Sequence, residues 1–273
     1  MYSLYQYFGY EMSLDERFAL VKTAGFDAVG LWRDDWFGWS GHREFADRAR
    51  SAGLRVGDGH APFARDYEFV NALWLDNLDG VTTYGTYLRT VEEAALDGVS
   101  TLVVHLQDHD SPPPNNLGVE RITRLVAAAE ERGVTIALEN IYLHEYLKYV
   151  FDRVDSPNLG FCYDAGHRNC NEPDIDLLSM FGDRLAALHL HDNDGSGDQH
   201  LIPFEGGIDW QEQMAKIAAT RYTGAITLEC TTGLPGVTRP NDSRSAEEWL
   251  GAALAAAKRL ESMRQAFSAP PPA

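Results

Sequence analysis

Lysine is scarce in this sequence, and acidic residues far outnumber basic ones. Lysine supplies four of the 23 basic residues, against 41 acidic ones, which leaves a formal net charge of −18 over 273 residues. Because nucleic-acid binding depends mainly on Lys and Arg contacts to phosphates, this composition disfavours a nucleic-acid partner without excluding a local basic groove. Bound divalent cations would offset part of the negative charge.

Cysteine is also scarce, and long apolar runs are missing. Cys162, Cys170 and Cys230 follow no CxxC spacing, which fits free thiols in a reducing compartment. No stretch approaches the roughly 18 apolar residues of a membrane span. The first residues lack the basic start and apolar core of a signal peptide. We therefore expect a cytoplasmic protein with no membrane partner and no leader.

Short β-rich segments alternate with longer helical ones along the whole chain. The candidate strands are 4–8, 27–32, 54–60, 100–105, 134–140, 158–164, 185–191 and 224–229. Several, such as TLVV and VTIAL, are continuously apolar, as parallel strands covered on both faces are. Ser13 and Glu16 have the spacing of a capping box at the start of the first helix.

Eight β/α pairs predict an α/β fold, a single (β/α)8 TIM barrel over residues 1–267, followed by a disordered Pro-rich tail over 268–273. The alternative is an open doubly wound sheet. It is disfavoured because the first strand–helix junction lacks a Gly-rich phosphate fingerprint.

Residue types that bind metals stand at the C-terminal ends of six consecutive strands, where TIM barrels carry their chemistry. The strand-end residues are His60, His105, Glu139, Asp164, His189 with His191, and Glu229, and the loops add His167, Asp198 and His200. Each alone is more often a cap, a core histidine or part of an ion pair. Converging on one mouth, they would repel one another or stay unsatisfied without a cation. We therefore expect a divalent metal site.

His189 and His191 are two apart on one strand, so both can face the barrel interior. One is expected to bind the metal, and the other a second metal or the substrate. Asp198 and His200 form an Asp-x-His pair on a loop that can fold back over the mouth. Asp192 is expected to support the ligands or the turn.

Two further groups are candidates for substrate binding. Trp32, Trp36 and Trp39 follow the second strand, and their faces could stack on a sugar ring or instead pack or form an oligomer contact. Arg33 and Arg65 lie beyond strand ends and could bind a phosphate or carboxylate, or instead form surface salt bridges.

At these residues the chain resembles the xylose-isomerase-like TIM barrels, a superfamily of sugar-phosphate isomerases and epimerases that also includes endonuclease IV. The motifs are GHAPF (59–63), VVH (103–105), LEN (138–140), NLGFCYDAGH (158–167), LHLHDNDGSGDQHLIPFEGGIDW (188–210) and ITLE (226–229). Their order on successive strands carries the resemblance. The chain departs at Phe204, where the family often has glycine, which affects the shape of this turn rather than the ligands.

The resemblance implies two ligand sets. In the tagatose-epimerase-like members, one divalent ion is held from the last four strands, and the matching positions here are Glu139, Asp164, His191 and Glu229. Those two glutamates also exchange protons with a substrate carbon, one on each face. Endonuclease IV binds three zinc ions. Its fuller pattern has similar residues here in His60, His105, Glu139, Asp164, His167, His189 or His191, Asp198, His200 and Glu229.

The resemblance thus implies a metal-dependent isomerase or epimerase of a small sugar-like carbonyl compound, in which the glutamate pair moves a proton through an enediolate. The ligands suit one to three ions of Zn²⁺, Mn²⁺ or Fe²⁺. The alternative is a zinc-dependent phosphodiesterase of the endonuclease IV type, which the extended ligand set favours and the net charge opposes. A non-catalytic metal-binding or sugar-sensing barrel is a third hypothesis. A homo-oligomer is compatible with the sequence.

Overall fold

Eight parallel strands form one sheet that closes on itself. A computed structural model of the chain describes residues 1–33, 42–63, 67–234, 237–238 and 242–268. The strands are β1 (Tyr2–Tyr5), β2 (Ala28–Trp32), β3 (Arg55–His60), β4 (Thr101–Val104), β5 (Thr135–Glu139), β6 (Leu159–Asp164), β7 (Leu185–His189) and β8 (Ile226–Leu228). Their order is β7-β6-β5-β4-β3-β2-β1-β8, and every pairing within this sheet is parallel.

The barrel closes just beyond β7. The Leu190 amide donates to the Thr227 carbonyl at 3.0 Å, and the Glu229 amide donates to the Leu190 carbonyl at 3.2 Å. These bonds join the first and last strands of the sheet order, so the predicted TIM barrel and its eight strands are confirmed. Residues Gly233–Leu234 (β9) and Val237–Thr238 (β10) form a separate antiparallel pair.

Helices follow the strands around the outside. They are α1 (Leu14–Ala24), α2 (His42–Ser51), α3 (Tyr67–Asn71), α4 (Leu78–Leu96), α5 (Asn116–Glu130), α6 (His144–Phe151), α7 (Ala165–Asn171), α8 (Leu177–Phe181), α9 (Trp210–Ala219) and α10 (Ala246–Ser268). The Ser13–Glu16 capping box at the start of α1 is present, so this prediction is confirmed. No helix in the described part of the chain is long and apolar enough to cross a membrane. The cytoplasmic location stays a prediction.

Several elements differ from the predicted ones in their bounds, and one helix is additional. β1 begins at Tyr2 and ends at Tyr5, earlier than the predicted 4–8, and the side-chain amide of the following Gln6 bonds to the main chain of Trp32 at 2.7 and 3.0 Å. α7 was not predicted, and it begins directly after Asp164, whose carboxylate caps it. α10 reaches Ser268, and the remainder of the predicted tail lies outside the described residues.

The main core fills the space between the strands and the surrounding helices. It contains outward-facing strand residues such as Leu102, Ile136 and Leu188 together with helix residues such as Val126 and Met214. A second, small cluster consists of Val103, Ala137, Cys162 and Ala187, one residue from each of β4 to β7. Alternation along the strands places this small cluster inside the barrel.

Candidate metal centre

The same alternation brings the predicted ligands to the mouth of the barrel. Residues two positions beyond the interior cluster must face the interior too, one layer nearer the C-terminal ends of the strands. These residues are His105, Glu139, Asp164 and His189, and all four are buried. His60 and Glu229 are buried on the neighbouring strands β3 and β8. The barrel thus gathers six of the predicted ligands into one buried layer.

His189 lies between the two glutamates. Its Nδ1 is 2.7 Å from Oε1 of Glu139 and 3.3 Å from Oε2 of Glu229. One ligand atom from each of Glu139, Asp164, His189 and Glu229 can be chosen so that all four lie within 4.8 Å of one another. We call these four residues the inner group. The resemblance implied the same set of ligands, except that it named His191 where the structure has His189.

His60 and His105 face the inner group from β3 and from the end of β4. Their Nε2 atoms are 3.0 Å apart, and they lie 3.1 and 2.9 Å from Oε2 of Glu139. Glu139 therefore meets imidazoles at both of its oxygens. This carboxylate could bridge two cations, because His60, His105 and Glu139 also form a set of mutually close ligand atoms.

A second cluster, the outer group, surrounds Asp198 in the loop after β7. Nε2 of His200 lies 2.9 Å and Nε2 of His167 lies 3.5 Å from Oδ2 of Asp198, and Nε2 of His191 lies 3.7 Å from its Oδ1. His191 also lies 3.1 Å from Asp164, so it connects the outer group to the inner one. The predicted return of Asp198 and His200 over the mouth is present in the structure.

Three of the histidines are oriented so that the unprotonated Nε2 of the neutral ring points toward a carboxylate. His60, His167 and His200 each place Nδ1 against a main-chain carbonyl, which can only accept a hydrogen bond. The carbonyls belong to Ala61, Asn140 and Glu229, at 2.7, 3.1 and 2.6 Å. In the neutral imidazole the proton therefore sits on Nδ1, and Nε2 faces Glu139 or Asp198 without one. Either an extra proton or a divalent cation must occupy these positions, so the donor set fits a metal.

Electrostatics of the cluster agree with this need for positive charge. Burial alone would raise the pKa of Glu229, but the facing His189 imidazolium outweighs burial and lowers that pKa to about 2. Burial would lower the pKa of His200, but Asp198 outweighs it and raises that pKa to about 9. In the metal-free protein, protons on imidazoles therefore balance the buried carboxylates.

Gly166 makes room for His191. A Cβ atom on Gly166 would lie 1.9 Å from Cε1 of the His191 ring, so any side chain there would displace the imidazole. The His191 ring also stacks on His200, with centroids 4.0 Å apart and planes at 14°. The glycine of the GH pair (166–167) is therefore required by packing against a predicted ligand.

The structure places Trp32 and Arg33 in packing and ion-pair positions, the alternatives to substrate binding that the sequence left open. Trp32 is only 3% exposed, and its indole N–H donates to Oε1 of Glu229 at 3.0 Å. It orients a glutamate and offers no free face to a sugar. Arg33 is buried outside the mouth, where its Nη2 pairs with Oδ2 of Asp97 at 2.6 Å. Arg65, together with Trp36 and Trp39, lies outside the described residues.

Asp192 holds the loop that carries the outer group. This buried carboxylate accepts hydrogen bonds from the amides of Asn193, Phe204 and Ile208 and from the Trp210 indole, at 2.9, 2.8, 3.1 and 2.8 Å. The sequence indicated only a supporting or turn role for it.

Two residues that contact His189, Tyr5 and Asp58, were not predicted from the sequence. Asp58 could have been found, because it stands two residues before His60 and so shares its face.

The model of the xylose isomerase-like TIM barrel family matches residues 18–259. A relative, uncharacterized protein y4fM of Sinorhizobium fredii, is 30% identical over 259 residues, which cover 81% of this chain and 82% of the relative. Fructoselysine 3-epimerase of Escherichia coli O157:H7 is 30% identical over 132 residues, 44% of this chain and 48% of the epimerase.

Solved structures share the fold at lower identity. D-psicose 3-epimerase from Clostridium cellulolyticum H10, solved with D-tagatose, superposes with a TM-score of 0.77 at 17% identity and covers 97% of this chain and 99% of its own. The IOLI protein, solved with a zinc atom, has a TM-score of 0.73 at 16% identity, covering 96% and 98%. Together with the family model, these findings show that the chain belongs to the xylose isomerase-like TIM barrel family.

Proposed function

We propose that this protein is a metal-dependent isomerase or epimerase of a small sugar-like carbonyl compound. The observation that carries the proposal is the position of Glu139 and Glu229, two buried carboxylates on either side of the His189 Nδ1. Paired carboxylates at one metal site can take a proton from carbon and return one. The names of similar proteins, fructoselysine 3-epimerase and D-psicose 3-epimerase, support this substrate class.

The inner group would hold the catalytic ion. Its mixture of carboxylates and imidazole suits Zn²⁺, Mn²⁺ or Fe²⁺. When bound, such an ion would polarise a substrate carbonyl and stabilise negative charge on the oxygen. His189 rather than His191 would be the histidine ligand, because its Nδ1 is the imidazole nitrogen that lies 2.7 Å from Glu139 and 3.3 Å from Glu229.

The outer group would hold a second ion with a structural role, not a catalytic one. His167, His191, Asp198 and His200 offer four ligand atoms within 4.8 Å of one another. This group contains neither Glu139 nor Glu229, the two residues proposed to move the proton. An ion here would fasten the loop after β7 to the barrel and leave proton transfer to the inner group.

Different side chains orient the two glutamates. Glu229 is oriented by the Trp32 indole, whose N–H donates to its Oε1 at 3.0 Å. Glu139 is oriented by His60, His105 and His189. One glutamate, ionised, would remove the proton, and the other, entering the step as a protonated acid, would deliver its proton to the enediolate from the opposite face, which inverts the carbon.

Solvent-deuterium incorporation tests this proposal. The metal-loaded protein would be incubated in D2O with D-fructose, D-psicose, D-tagatose or fructoselysine, and deuterium at the carbon next to the carbonyl would be measured by NMR. Glu139→Gln and Glu229→Gln should each abolish incorporation with the fold intact, while the exposed Glu131→Gln should keep it. Full incorporation in both glutamate variants would reject the mechanism.

A zinc-dependent phosphodiesterase is a second candidate, and the set of His60, His105 and Glu139 beside the inner group is the observation that favours it. Clustered ions can stabilise the attacking and leaving oxygens of phosphoryl transfer. The net charge of −18 opposes binding to nucleic acid. Nicking of a duplex with an abasic site by the zinc-loaded protein would support this activity, and no nicking at high enzyme excess would reject it.

A further inference from the structure

Asp58 is a buried carboxylate in the floor of the barrel with no evident role in the fold. It is 8% exposed, and its Oδ1 is buried without a hydrogen-bond partner. Standing on β3 two residues before His60, it faces the interior one layer below the mouth. Barrel interiors are normally filled by branched apolar side chains, and an unpaired buried carboxylate is costly. Its place therefore requires an electrostatic partner.

That partner is His189. Nε2 of His189 lies 3.5 Å from Oδ2 of Asp58, the one ion pair found for Asp58 among the described residues. On its other side Asp58 lines a cavity of about 190 Å³ at the N-terminal end of the barrel, bordered by Met1, Thr101 and Tyr222. The carboxylate therefore sits between this cavity and the inner group, underneath the histidine that faces both glutamates.

The His189 ring is held the opposite way round from the other histidines. In His60, His167 and His200 a main-chain carbonyl fixes the proton on Nδ1, and Nε2 faces the carboxylates. In His189, Nδ1 faces the glutamates, and Nε2 meets the Tyr5 hydroxyl at 2.9 Å and Asp58 beyond it. No main-chain carbonyl takes part at Nε2 in the described hydrogen bonds of this ring.

We infer that Asp58, together with Tyr5, is the positioning pair that keeps the His189 proton on Nε2 and thereby presents the Nδ1 lone pair to a divalent ion of the inner group. This inference rests on the proposed function. A hydroxyl can donate or accept, so Tyr5 alone leaves the proton position open. The Asp58 carboxylate, 3.5 Å from Nε2, only accepts hydrogen bonds, and its negative charge favours the form with the proton on that nitrogen. Carboxylate–histidine–metal arrangements orient the ring and strengthen the ligand in the same way.

Tyr5 adds control of the ring plane. Its own ring meets His189 edge-on, with centroids 5.0 Å apart and planes at 88°, and it stacks on Trp32 at 5.2 Å. Trp32 in turn donates to Glu229. The floor of the barrel is thus connected to a histidine and to a glutamate of the inner group through one aromatic pair.

Zinc affinity tests the inference. In competition titrations against a chelator, Asp58→Asn should bind zinc in the inner group 10- to 100-fold more weakly than the unsubstituted protein, as loss of such a supporting carboxylate does. Ser3→Ala is the matched control, because its Oγ is also buried in the barrel floor without a partner but does not contact His189. Circular dichroism would show that each variant is folded.

Nitrogen-15 NMR of the zinc-loaded protein reports the protonation of the His189 ring. A purely structural role of Asp58 would leave this protonation unchanged. The His189 ring should show a protonated Nε2 whose hydrogen exchanges slowly with solvent, and exchange should be faster in Asp58→Asn and in Tyr5→Phe. Unchanged zinc affinity and unchanged exchange in Asp58→Asn would overturn the inference while leaving the proposed function standing. An unsubstituted protein that binds neither Zn²⁺ nor Mn²⁺ nor Fe²⁺ would overturn both.

Discussion

Nδ1 of His189 lies 2.7 Å from Oε1 of Glu139, whereas His191, two residues later on the same face, turns its Nε2 toward Asp164 at 3.1 Å. The two histidines therefore meet different carboxylates: His189 meets both glutamates, and His191 connects Asp164 to Asp198. Two residues that are two positions apart on a strand share a face and differ only in their position along the barrel axis. That position decides which histidine meets the glutamates.

Separate groups predict separate consequences of substitution. His189→Asn should remove the inner ion and abolish deuterium incorporation into substrate, because its imidazole contacts both glutamates. His191→Asn should weaken the outer ion and reduce incorporation less. Metal content by mass spectrometry and incorporation by NMR would check both variants. The reverse order of severity would contradict the assignment of His189 to the inner group.

Asp192 should contribute more to stability than any exposed carboxylate of the same loop. Three of its four hydrogen bonds are buried and the fourth, from the Phe204 amide, is partly buried, so Asp192→Asn places an amide against at least one of these donors. We expect a loss of about 2–4 kcal/mol in the free energy of unfolding, measured in urea. The exposed Asp194→Asn, its neighbour, should change that free energy by no more than about 0.5 kcal/mol. Equal effects would show that Asp192 does not hold the loop.

His200 predicts how the stability of the metal-free protein depends on pH. Asp198 raises the pKa of His200 to about 9, above the ordinary value of 6.5, so the folded state binds the proton more tightly. This contribution, about 3 kcal/mol, is complete below pH 6.5 and is lost as pH rises through about 9.

Urea unfolding in the presence of a chelator, between pH 6 and pH 10, would measure this loss. His200→Gln should flatten the part of the curve that His200 supplies, while other imidazoles of the cluster keep theirs. A metal-free protein whose stability is the same at pH 6.5 and pH 9 would contradict the ion pair between Asp198 and His200.

Much of the fold could be predicted from sequence because its signals are local. Each β/α pair carries its own apolar strand and helix, and the strand ends are directly visible in motifs such as LEN (138–140) and ITLE (226–229). Once parallel strands form a barrel, residues at their C-terminal ends meet at one mouth. The candidate ligands were therefore predictable as a group.

Geometry across strands was less predictable. Which of His189 and His191 meets the glutamates depends on the stagger of β7 against β5 and β8, which no local pattern fixes. Arg33 is a different case. It follows the inward-facing Trp32, so alternation alone places it on the outer face, where it pairs with Asp97.

Phe204 shows a sequence departure with a visible backbone consequence. Its φ is +78°, in the left-handed region that favours the glycine common in the family. The amide of Phe204 bonds to Asp192, and its ring lies 3.8 Å from the Arg259 guanidinium. These contacts hold the residue in a conformation that its Cβ disfavours.

The metal content of the purified protein tests the central claim most directly. We expect at least one equivalent of a divalent first-row metal per chain, measured by mass spectrometry. We also expect the double variant Glu139→Gln with Glu229→Gln to lose the inner ion and Glu131→Gln to keep it. A folded protein that carries no such metal and shows no binding of Zn²⁺ or Mn²⁺ in titration would contradict it.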